Sequence, residues 1–153
     1  MNFTVRGLSP DPFMRLYGLN DAKLARHLAK RVVVDGPGFP ERIEMRDAQL
    51  GETLLLVNFE HQPADTPYRS AHAVYVREGA TERWSGNRLP EVLRKRLLSL
   101  RGFSREGSMA QADVVDGCDA ELVIERIFGD PAVAYIHAHY AKPGCYAARI
   151  DRA

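Results

Sequence analysis

Cysteine is scarce in this chain of 153 residues. There are two, Cys118 and Cys145, and the turn signals between them place them on different elements. A secreted domain of this size that relied on disulfides would carry more, so a reducing cytoplasm is the expected compartment. Long apolar runs are missing too. The longest purely aliphatic one, Leu54-Leu55-Leu56-Val57, falls far short of the roughly 20 residues that cross a bilayer. The first ten residues lack the apolar stretch of a secretory leader. Neither sign of charge dominates, with 21 Lys and Arg against 20 Asp and Glu. That balance argues against a nucleic-acid partner, and no run of like charge marks a tail. Repeats, low-complexity tracts and Ser/Gly-rich linkers are also absent. The expectation is one domain over residues 1–153, away from membranes and nucleic acid, as a monomer or small homo-oligomer.

What is present suits a folded core. A chain of this length buries roughly 68–70% of its unfolded surface without disulfides. Nine prolines and twelve glycines punctuate it at short intervals, which favours short strands over a helical bundle. Phe3–Leu8, Arg31–Asp35, Arg42–Arg46, Thr53–Glu60, Ala71–Arg77 and Leu98–Phe103 read as strands, and Val133–Tyr140 with Tyr146–Ile150 as a terminal hairpin. Asn20 caps a helix through Lys30, with Leu24 and Leu28 facing the core. Pro90 opens a short helix, and Asp119–Phe128 is a second with an apolar stripe of Val123, Ile124, Ile127 and Phe128, ended at Gly129. The expected fold is α+β: a mainly antiparallel sheet of about six or seven strands, two or three helices and a C-terminal β-hairpin.

Chemistry concentrates in the last third. His137 and His139 stand two apart on a strand and so point to one face. Imidazoles placed this way can hold a divalent metal such as zinc if a third ligand joins them. His61 is the best candidate, because it continues the apolar face of Leu55, Val57 and Phe59 to a strand end. Cys145 follows Lys142-Pro143-Gly144, whose order suits a type II turn with glycine at positive φ. A cysteine there, near histidines and Lys142, can serve as a nucleophile if the hairpin register brings it onto the histidine face. An even loop puts Cys145 opposite Tyr140 and away from the histidines; an odd loop joins it to them.

The loop Thr66-Pro67-Tyr68-Arg69 lies between two strands, where binding residues collect. Tyr68 and Arg69 together suit a carboxylate or phosphate. The leading expectation is therefore a small-molecule site for an anionic ligand. Tyr68, Arg69, His61 and Lys142 would bind it, and Cys145 with His137 and His139 would carry any catalysis. Two alternatives stand beside it: metal binding through His61, His137 and His139, and a non-enzymatic ligand-sensing or interaction domain.

Several segments together resemble one family. They include Pro37-Gly38-Phe39-Pro40, His61, Pro67-Tyr68-Arg69, Asp130-Pro131 through His137, and Ala141-Lys142-Pro143-Gly144-Cys145-Tyr146. The resemblance is to domain of unknown function 1203 (DUF1203), a group of small bacterial proteins. It implies a stand-alone bacterial protein and assigns no activity. The chain departs from that pattern at Glu41 and Ala148, where cysteine is frequent, and at Tyr140, where asparagine is more usual.

Overall fold

Two antiparallel sheets meet in the computed structural model, which describes residues 2–153. In chain order the strands are β1 (Phe3–Arg6), β2 (Ala29–Val33), β3 (Thr53–Gln62), β4 (Ser70–Arg77) and β5 (Ser85–Gly86). They continue with β6 (Leu97–Phe103), β7 (Met109–Asp116), β8 (Tyr135–Tyr140) and β9 (Tyr146–Arg152). The larger sheet runs β5-β1-β9-β8-β6-β7 and the smaller β2-β3-β4. Four short helices complete the described residues: α1 (Asp11–Met14), α2 (Asp21–Arg26), α3 (Glu91–Arg94) and α4 (Ala120–Phe128). The architecture is the expected α+β one, ending in the β8–β9 hairpin.

One face of the larger sheet carries the main core. Leu98, Leu100, Ile136, Ala138 and Ile150 lie there against Ile124, Ile127 and Phe128 of α4. Their spacing puts those three helical side chains on one stripe, and burying each contributes about 2 kcal/mol. Leu122, on the opposite side of α4, stays in solvent. Gly129 caps α4 in right-handed geometry, its N–H donating to Glu125 and Arg126 carbonyls. A second core lies on the smaller sheet, where Leu55, Val57, Val74 and Val76 meet Phe13, Leu24 and Tyr146.

Three local expectations change. The helix after Asn20 is capped as foreseen, with Asn20 Oδ1 accepting from Lys23 N. It ends at Arg26, because Leu28 adopts φ 52 and the chain turns into β2, leaving Leu28 74% exposed. Arg42–Arg46 is not a strand, although Ile43 and Met45 are buried. The backbone there folds around the buried Glu41 carboxylate, which accepts N–H groups of Ile43, Glu44 and Arg77. β7 was not foreseen at all; it is an edge strand whose exposure simply alternates.

Candidate functional site

The face of the larger sheet opposite α4 holds the histidines. On β8, His137 pairs with Arg101 of β6 and Arg149 of β9, and His139 pairs with Ser99 and Tyr146. Cross-strand partners share a face, so this side of the sheet is polar and aromatic. The smaller sheet presents its own row to the same space: His61 on β3 and His72 opposite Phe59 on β4. Of five histidines in the chain, four therefore gather between the sheets.

Their geometry is close. The His61 ring lies parallel to those of His72 and Tyr146, at 4.6 and 4.9 Å between centroids. It meets His137 and His139 edge-on at 5.5 and 5.1 Å. His61, His137 and His139 are 8%, 1% and 0% exposed. Each offers a ring nitrogen within 4.8 Å of the others'. Tetrahedral ligands at about 2.05 Å from zinc sit about 3.3 Å apart, so modest side-chain rotations would close the set around one ion.

The hydrogen bonds fix which atoms are free. His139 Nδ1 lies 3.0 Å from the Gly144 carbonyl. A carbonyl only accepts, so Nδ1 carries the proton and Nε2 keeps its lone pair. That Nε2 has no hydrogen-bond partner among the described residues, nor do His137 Nδ1 and both nitrogens of His61. Buried polar atoms without partners are rare and costly, so four on three adjacent imidazoles mark an unusual place. His72 is settled differently, its Nδ1 accepting the Tyr146 N–H at 3.2 Å.

Electrostatics keep these rings neutral. Burial, reinforced by neighbouring imidazoles and arginines, pushes His137 down to about 2. Burial likewise lowers His61 to about 4 and His139 to about 3, against the Gly144 bond that favours the charged form. Burial and Arg101 also hold His72 below its ordinary value. A neutral imidazole is the form that binds metal. His61 and His137 line a cavity of about 220 Å³ rimmed by Arg6, Arg83 and Arg149.

The other expected site residues lie elsewhere. Arg69 pairs with Glu60 on the exposed side of the smaller sheet. Tyr68 is 42% exposed and reaches the cluster only through Phe103, which it meets edge-on at 6.3 Å. Ala141–Cys145 connect β8 to β9, and Tyr140 N donates to the Cys145 carbonyl, which sets Cys145 opposite Tyr140. Cys145 therefore sides with Tyr140 against the α4 core, away from His137 and His139. Its Sγ accepts from Arg42 Nη2 at 3.1 Å. Lys142 is exposed at the same turn, where Gly144 takes φ 77.

Sequence reasoning passed over Arg101, Tyr146, Arg149 and His72 as site residues. Parity on β6 was an available signal for Arg101 once strand pairing was known, whereas a bulge in β9 puts Tyr146 and Arg149 on one face against their parity.

No curated protein and no solved structure matches this chain. Residues 38–152, most of the chain and every histidine of the cluster, match the family described as protein of unknown function (DUF1203), and the chain belongs to that family.

Proposed function

We propose that this protein binds a divalent transition metal through His61, His137 and His139, with the small cavity as the open side of the site. The observation that carries this reading is the set of partnerless nitrogens on three buried, mutually close imidazoles. A cation would take one lone pair from each of the three rings, which no hydrogen bond among the described residues does, and would leave the His61 N–H as the one unpaired group. Three protein ligands with a fourth position facing a cavity is the pattern of catalytic rather than purely structural zinc sites. When bound, such an ion supplies Lewis acidity to a group entering the cavity.

The chain's own residues then set what enters. Arg101 and Arg149 stand opposite His137 across the strands, and Arg101 has no carboxylate partner among the described residues. Arg149 is paired with Asp151, so it is the charge of Arg101 that favours an anionic group beside the histidines. Tyr146 and His72 cover the His61 ring and limit its rotation. The Gly144 carbonyl orients His139 in the way outer partners orient metal-bound histidines.

Acid–base or nucleophilic catalysis by the same residues has less support. Imidazoles this depressed are weak bases near neutral pH. The Cys145 thiol belongs to the other face of the hairpin.

Elemental analysis of protein purified without a histidine tag tests the reading. About one zinc, cobalt, nickel or iron per chain is expected, falling below about 0.1 in His137→Ala. Wild-type protein that stays below about 0.1 after incubation with cobalt(II), and shows no visible absorption band, would end it.

A further inference from the structure

A larger cavity of about 870 Å³ lies at the hairpin end of the molecule. Its volume falls in the range of sites for drug-sized ligands. Tyr75, Leu97, Tyr140 and Pro143 give it apolar walls, and Arg42, Lys95, Arg96 and Lys142 give it charge. Two of these cations, Lys95 and Arg96, share the single carboxylate of Asp47, so the trio keeps one positive charge. Asp116 also lines the cavity but makes no ion pair with any of the four.

Arg42 is different. It is 2% exposed, yet its guanidinium meets no carboxylate among the described residues. Nε donates to the Tyr146 carbonyl, Nη1 to the Pro40 carbonyl and Nη2 to Cys145 Sγ. Three of five N–H groups are thereby used and two remain. A buried cation held only by neutral acceptors is expensive unless an anion reaches it.

Tyr140 supplies an independent observation. It is 4% exposed and lines the cavity, and its hydroxyl has no hydrogen-bond partner among the described residues. The Arg42 and Arg96 guanidinium carbons lie 5.0 and 5.4 Å from its ring centroid. A hydroxyl without a partner among the described residues, on a ring flanked by two guanidinium groups, offers a donor to an oxyanion drawn by their charge. Lys142, exposed and without an ion pair among the described residues, stands at the mouth.

We infer that this cavity binds a small organic oxyanion with a flat apolar body, its head at Arg42, Tyr140 and Lys142 and its body along Tyr75, Leu97 and Pro143. An aromatic carboxylate or an aryl phosphate fits this description. The site adjoins the histidine cluster through His72, which lines this cavity and stacks on His61, but its anion-binding groups are different atoms from the three proposed metal ligands.

The test is a titration of chelator-treated, full-length protein with benzoate, phenyl phosphate and benzyl alcohol, followed by amide NMR. Benzoate or phenyl phosphate should shift signals from Arg42, Lys142 and Gly144 at concentrations up to about 10 mM, and benzyl alcohol should not. The stronger of the two anions identifies the head group. Lys142→Ala should weaken that anion about 3- to 10-fold, and Tyr140→Phe about 5-fold. Arg42→Gln should abolish binding; because Arg42 also ties Pro40 to Tyr146, the other two variants decide if it fails to fold. Equal shifts from benzyl alcohol would overturn the inference. So would an absence of shifts from both anions, or unchanged affinity in both Lys142→Ala and Tyr140→Phe.

Discussion

Acidification should destabilise the metal-free protein over a window set by three imidazoles. In the unfolded chain a histidine titrates near 6.5, whereas His61, His137 and His139 are held at about 4, 2 and 3. Between those limits the unfolded state binds more protons, so stability is intact above about 6.5 and is lost as the pH falls. At pH 5.5 each unfolded histidine gains about 1.4 kcal/mol from protonation that its folded counterpart cannot match, against about 0.1 kcal/mol at pH 7.5. Three such groups give a loss of about 4 kcal/mol, a large share of the 5–15 kcal/mol typical of a domain. Glu41 works in the opposite sense, because burial raises its carboxyl above the ordinary value. Comparing wild type with His137→Gln cancels that contribution, and the variant should lose about 1.4 kcal/mol less over the same interval. Urea denaturation at pH 7.5 and 5.5 in chelator measures both. A wild-type loss below about 1 kcal/mol, or the same loss in His137→Gln, would mean that these rings protonate in place and that the cluster is open to water.

Two further substitutions probe the segments that frame the sites. Glu41→Ala leaves three backbone N–H groups without their acceptor and should cost at least about 3 kcal/mol in urea denaturation, although position 41 lies in a loop. Gly117→Ala should cost about 3 kcal/mol, or roughly 6–12 °C in melting temperature, because its methyl would overlap the Leu93 and Arg94 carbonyl oxygens where β7 ends.

Much of the scaffold was legible because it obeys a simple period. β3 alternates strictly from Leu55 to His61, and that parity alone placed His61 at the end of a buried face. His137 and His139 were likewise assigned to one face by spacing. The closeness of His61 to that pair depended on something spacing does not carry, the meeting of two sheets. Arg69 and Tyr68 show the reverse case. Their residue types suit an anion, but Glu60, nine positions earlier on the adjacent strand, is close enough to take the guanidinium. The segment 42–46 alternates like a strand, yet one buried carboxylate outcompetes a ladder partner for its N–H groups. The anion-site residues were illegible for a related reason, since Arg42 gains its position from carbonyls about a hundred residues away and next door.

The hairpin shows most clearly why the faces could not be read from parity. Ala138 pairs with Ala148, but His139 pairs with Tyr146, so Ala147 is an extra residue on β9. A bulge lets two neighbours point the same way, and Ala147 and Ala148 are both buried in the α4 core. Beyond it the alternation is shifted by one, which turns Tyr146 and Arg149 onto the same histidine-bearing face despite their odd separation. The shift also fixes what Tyr146 can do. Its ring lies against His61, its N–H holds His72, and its carbonyl holds Arg42. One residue thus ties the imidazole cluster to Arg42 of the cationic cavity, and it stands there because two alanines small enough to share one side of the strand follow it.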